Sequence, residues 1–96
     1  MAIGVIWYPP VDQQTYDAVR EKVMQAGVDK GLTFHAGGEA EGSWRIIECW
    51  DSREALESFI REDLHPAIDE VSGGQAPPPE PELVFDVYYQ GPVIPE

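Results

Sequence analysis

Two histidines, His35 and His65, and three charges set inside apolar runs, Arg45, Glu48 and Asp86, are the side chains whose type and placing suit proton transfer in this sequence. His35 stands between Gly31-Leu32-Thr33-Phe34 and Ala36. An imidazole of ordinary pKa, about 6.5, in a half-apolar strand can take or give a proton at neutral pH. A hydrogen-bonded core or interface histidine is an equally good reading, because one histidine is not a motif. His65 precedes Pro66, where a helix loses a backbone donor and a cationic ring is favoured beside the freed carbonyls. Its chemical alternative is a second acid/base or an axial ligand facing a cleft.

Glu48 lies within Ile46-Ile47-Glu48-Cys49-Trp50, and Asp86 within Val84-Phe85-Asp86-Val87. A charge buried unpaired is strongly unfavourable, so each must pair, reach water or line a cavity. Arg45 paired with Asp86 or Glu48 is the structural reading. The chemical one is a carboxyl group, its pKa raised by apolar walls, acting as base in a proton abstraction beside a carbonyl. His35 and Asp86 are taken as the expected catalytic residues. Trp7, Trp44 and Trp50, with Tyr8, Phe34, Phe85, Tyr88 and Tyr89, explain themselves mainly as core and interface. Pockets for flat organic ligands are lined the same way, and Trp7, Trp50, Tyr88, Phe59 and His65 are the expected substrate-binding residues. Cys49 has no basic neighbour to activate it, and Gly37-Gly38 and Gly73-Gly74 lack the pattern of a phosphate loop.

These groups must be carried by a single domain, because the chain has 96 residues. The expected domain spans residues 1–90, with 91–96 as a tail. A core of this size is marginal, and dimerisation is its natural supplement. Eighteen acidic against six basic residues leave a net charge of −12, which repels phosphate backbones and anionic lipid and argues against nucleic-acid and membrane partners. The single cysteine rules out an internal disulfide or a multi-cysteine metal site. No apolar run approaches a spanning helix and the N-terminus lacks a basic start, so a cytoplasmic location is expected.

Ile3 to Tyr8, halted by Pro9-Pro10, reads as a buried strand. Asp12 caps a helix over about 12 to 26, with apolar positions Tyr16, Val19, Val23 and Ala26 and a stop at Gly27. Leu32–Ala36 and Trp44–Trp50 read as a hairpin around a glycine-rich turn at 37–43. Asp51 and Glu54 have capping-box spacing before the stripe Leu56, Phe59, Ile60, Leu64. Pro66 predicts a kink or break at His65-Pro66. Four prolines between Ala76 and Glu82 predict an extended connector, and Leu83–Tyr89 a last strand. The order βαββαβ is the ferredoxin-like α+β arrangement, an antiparallel sheet with two helices on one face. Both faces of the third and fourth strands are apolar, so the open face is an expected interface, closed sheet to sheet by a second copy.

The junction Ile46-Ile47-Glu48-Cys49-Trp50-Asp51-Ser52-Arg53-Glu54-Ala55-Leu56, continued by Phe59 and Pro66, resembles the strand-Trp-x-Ser-x-Glu-Ala-hydrophobic pattern of the dimeric α+β barrel superfamily. Within it, the chain is similar to the small single-domain proteins like antibiotic-biosynthesis monooxygenases. The resemblance implies a homodimeric α+β barrel and a small-molecule enzyme with no tightly bound cofactor or metal. It implies oxidation of an aromatic or polyketide-like substrate, begun by a proton abstraction that lets a carbanion meet dioxygen. His35 would be the base, with Trp50 and Tyr88 orienting the substrate. An isomerase or cyclase would share that first step, and a non-catalytic ligand-binding or dimerisation module is the alternative outside enzymology. Haem-degrading members use an Asn on the first strand with a Trp and a His on the second helix. This chain has no asparagine, offers Phe59 at the helical Trp position, and holds His65 about one turn before the ligand position, which sets haem below the other readings.

Overall fold

The structure, a computed structural model, describes residues 1–92; residues 93–96 of the expected tail lie outside it. Strands β1 (Ile3–Trp7), β2 (Leu32–Ala40), β3 (Ser43–Trp50) and β4 (Leu83–Asp86) form one sheet in the order β2-β3-β1-β4. Each neighbouring pair is antiparallel. Helix α1 (Gln13–Lys30) and a second helical stretch, α2 (Arg53–Phe59) continuing through a π turn at Ile60–Leu64 into α3 (His65–Ser72), supply the apolar side chains that pack with the sheet. Ile3, Val5 and Trp7 of β1 and Trp50 of β3 meet Val23 of α1 and Leu56, Phe59 and Ala67 of the second helical stretch in one buried cluster. Alternation along β1 and β3 explains which side chains take part.

Helix α1 starts where expected: the Asp12 carboxylate accepts the Thr15 N–H at 2.8 Å. This hydrogen bond holds the Asp12 carboxyl below its ordinary pKa. The helix runs past Gly27, the expected stop, to Gly31, whose φ of 125° is open to glycine and strained for other residues. Gly27 is instead a contact residue. A Cβ there would stand 3.3 Å from Leu32 and 3.4 Å from Phe59, so its bare backbone lets α1 approach the layer beneath.

The hairpin is also longer than expected. Gly37 and Gly38 pair with Ile46 and Arg45 within the ladder, and the chain reverses only at Glu41 (φ 54°) and Gly42 (φ 81°), the positive pair that matches a two-residue hairpin turn to strand twist. Strand β4 stops at Asp86 rather than Tyr89, because its partner β1 begins at Ile3 and leaves only the Ala2 carbonyl for Val87.

Ser52, rather than Asp51, caps α2, accepting the Ala55 N–H at 3.1 Å. No break occurs at His65-Pro66, and His65 keeps helical angles (φ −59°, ψ −47°). The π turn absorbs the proline: His65 N–H reaches back to the Ile60 carbonyl, and the wider turn gives the Pro66 ring room against the carbonyl four residues before it. Among the described residues no helix is long and apolar enough to cross a membrane.

Candidate active site

Glu48 is the buried charged residue of the sheet, 6% exposed on the helix-facing side of β3. Three N–H groups surround its carboxylate. The indole Nε1 of Trp7 donates to Oε1 at 2.8 Å, the indole Nε1 of Trp50 donates to the same oxygen at 3.1 Å, and His35 Nδ1 lies 2.8 Å from Oε2. Indoles only donate, so Oε1 is spoken for as an acceptor, and the ionised, acceptor-only carboxylate satisfies all three partners. His35 Nδ1 then carries the hydrogen, which leaves the Nε2 lone pair facing outward. That nitrogen is hydrogen-bonded to the Tyr16 hydroxyl, which donates.

Tyr16 reaches this position from the first turns of α1. Its ring stacks beside His35 and tilts against Trp44 at 4.9 Å between centroids. Gly37 makes the approach feasible, since a Cβ there would lie 2.6 Å from the Tyr16 hydroxyl. Burial pushes the Tyr16 phenol above its ordinary pKa of 10.0; nearby Arg20 opposes the shift, and Glu48 and Asp17 add to it. Tyr16 is therefore a neutral donor throughout the neutral range.

The Tyr16–His35–Glu48 chain opens on a cavity of about 100 Å³ between the helices and the sheet. Trp7, Val19, Val23, Ile46, Phe59 and Leu64 are among its walls, and its polar lining is Thr15, Tyr16, Arg20, His35 and Glu48. A more open groove outside it, of about 530 Å³, is bordered by Gln13, Asp17, Arg20 and Trp44, and shares Tyr16 and His35 with the cavity. A base with a fixed tautomer, a neutral hydroxyl donor and an apolar wall are the elements of proton abstraction from a flat organic molecule.

Of the residues expected from the sequence, the structure brings together His35, Trp7, Trp50 and Phe59. Trp7 and Phe59 line the cavity, and Trp50 backs it, packed against Phe59 at 4.9 Å. Asp86 is exposed on β4 beside Ile3, with β1 and β3 between it and His35. Tyr88 is fully exposed. His65 sits on the helix surface, 3.7 Å from Asp69 one turn on. Arg45 pairs with neither carboxylate; its guanidinium lies 4.1 Å from the centroid of the Tyr8 ring. Tyr16 was legible only as an apolar helix position, since nothing local ties it to a histidine 19 residues away. For Glu48 the signal was present: strand alternation puts it on the face of Ile46 and Trp50.

By sequence, no family and no curated protein matches this chain. Solved structures match in fold. A protein of Chloroflexus aurantiacus J-10-fl, assigned as a candidate antibiotic biosynthesis monooxygenase, aligns with a TM-score of 0.53 at 15% identity, over 97% of this chain and 97% of its own. A conserved protein of Methanosarcina mazei Go1 gives 0.51 at 14% identity, over 88% and 91%. The Rv0793 protein of Mycobacterium tuberculosis gives 0.50 at 15%, over 95% and 97%. Identities this low speak to architecture, and activity is argued from the site. The strand order, the helix-covered face and these alignments agree that this chain has a ferredoxin-like α+β fold, shared with these solved structures.

Proposed function

We propose that the protein is a homodimeric, cofactor-independent monooxygenase of electron-rich aromatic molecules, with His35 as its base. The observation that carries this reading is the His35 imidazole, its Nδ1 held by Glu48 and its Nε2 turned to Tyr16 at the edge of the apolar cavity. His35 Nε2 takes a proton from a hydroxyl or an activated carbon, and the electron pair left behind spreads into the ring. The carbanionic carbon gives electrons to dioxygen and forms a C–O bond. The imidazolium returns its proton to the distal oxygen. Loss of that carbon's own hydrogen as the O–O bond breaks leaves a carbonyl, with the second oxygen atom released as water. Glu48 stabilises the imidazolium between these steps, and Trp7 and Trp50 keep Glu48 in place.

A second copy of the chain is proposed to cover the open sheet face, where Phe34, Ile47, Leu83 and Phe85 are each about half exposed. A contiguous apolar patch on so small a chain favours association.

Oxygen uptake tests the chemistry. With a panel of hydroxylated aromatics, one dioxygen should disappear per substrate molecule oxidised, and His35→Ala should slow uptake by about 10²- to 10⁴-fold. Conversion of substrate without oxygen uptake would replace the monooxygenase reading with an isomerase or cyclase. Binding without conversion would leave a ligand-binding module.

A further inference from the structure

We infer that this site takes a neutral phenol of a single ring, seated ring-inward among Trp7, Val19, Val23, Ile46, Phe59 and Leu64, with its hydroxyl at His35 Nε2. The inference rests on the base role proposed for His35 and goes beyond it to the size, charge and orientation of the ligand. Size decides first. A dry apolar cavity of about 150 Å³ suits one benzene ring, and pockets for drug-sized ligands run to about 300 Å³ or more. The chamber here measures about 100 Å³, closer to the one-ring cavity than to the smallest drug-sized pocket, of which it is about a third.

Orientation follows from where the polar atoms are. Along the chamber the wall is apolar, and the Tyr16 hydroxyl and His35 Nε2 meet where it joins the outer groove. A phenol entering ring-first brings its own hydroxyl to that pair. It then donates to His35 Nε2 in place of Tyr16, while the Tyr16 O–H is free to donate to the phenol oxygen. Substituents on the ring nearest the mouth run out along Gln13 and Arg20. Charge decides the rest. An anion would come close to the Glu48 carboxylate, and Arg20 is already turned towards Asp17 at 4.0 Å. A neutral molecule meets no such opposition, and it acquires charge only as its proton passes to His35.

Fluorine NMR of the full chain with 4-fluorophenol tests this directly. We expect a saturable shift, with binding about tenfold or more tighter than that of 4-fluorotoluene, which lacks the hydroxyl. A three-ring hydroxyanthracene should displace 4-fluorophenol about tenfold less well than unlabelled phenol does. Val19→Phe, which fills the chamber, should weaken 4-fluorophenol about tenfold, and circular dichroism reports whether that variant is folded. The ligand series needs no variant and decides the matter if Val19→Phe fails to fold. Equal binding of 4-fluorotoluene, tighter binding of hydroxyanthracene, or no binding of 4-fluorophenol overturns the inference. Binding of 4-fluorophenol with no oxygen uptake from any phenol supports this ligand class while removing the monooxygenase reading. Uptake with three-ring substrates alone does the opposite.

Discussion

His35 and Glu48 meet at 2.8 Å across the β2–β3 ladder because the ladder slips by one residue at Thr33. Leu32 is opposite Trp50, but Phe34, not Thr33, is opposite Cys49. Without the slip, Phe34 would face Glu48 and His35 would stand opposite Ile47 on the open face. The extra residue inverts every side chain beyond it, as a bulge must. Thr33 is held in that position by its hydroxyl, which donates to the Cys49 carbonyl at 3.2 Å.

Glu48→Gln should leave the fold in place and remove the base. The amide oxygen still accepts from Trp7 and Trp50, but the amide NH₂ then donates to His35 Nδ1 and moves the imidazole hydrogen to Nε2. Nitrogen NMR of the His35 ring should report the switched tautomer, and turnover should fall by about 10²- to 10⁴-fold. Glu48→Ala behaves differently. It leaves buried indole donors unpaired, and chemical denaturation should show a loss of about 3 kcal/mol or more. If Glu48→Gln keeps both the tautomer and the activity, Glu48 does not position His35.

Tyr16 should ionise above the ordinary phenol range. Burial raises its pKa above 10.0, so the folded protein holds this proton more tightly than the unfolded chain. The associated stability is fully present below pH 10 and is lost as pH rises through the folded value. An ultraviolet titration of the phenols should show a late step, absent in Tyr16→Phe. Loss in Tyr16→Phe of a step at the ordinary phenol value, instead of a late one, would refute the burial argument.

Gly37→Ala should separate Tyr16 from His35 without unfolding the hairpin. The new methyl would stand 2.6 Å from the Tyr16 hydroxyl, too close for both to stay. The Gly37 backbone is an ordinary ladder position opposite Ile46, so alanine is otherwise tolerated. The expected signature is a Tyr16 ionisation shifted towards 10 together with an unchanged far-ultraviolet spectrum. A wild-type titration in this variant would show that the ring yields without leaving His35.

Ile47→Glu tests the proposed assembly. Ile47 is half exposed on the open sheet face, so a carboxylate there should change monomer stability by less than about 0.5 kcal/mol. In a dimer closed over that face the same carboxylate would be desolvated and unpaired. Sedimentation should show the dimer dissociating at concentrations about tenfold or more above wild type. Identical sedimentation of the two proteins would place any interface elsewhere.

Local chemistry made much of the architecture legible. Asp12 as a cap, the proline stop after β1, the apolar stripe of the second helical stretch and the order βαββαβ are written in neighbouring residues. Errors arose where a local signal competed with a tertiary one. Gly27 has the look of a helix end, yet it packs under Leu32 and Phe59. Pro66 has the look of a break, yet a π turn accommodates it.

The site divides along the same line. Periodicity alone determined that Glu48 shares a strand face with Ile46 and Trp50, and that Trp7 and Phe59 belong to the interior. Only the tertiary structure decided that Glu48, rather than Asp86, stands beside His35, and that Tyr16 completes the chain. The physical reason is that pairing across strands depends on register. One unpaired residue at Thr33 turns His35 from the open face to the helix face, and alternation read along a single strand carries no record of such a slip.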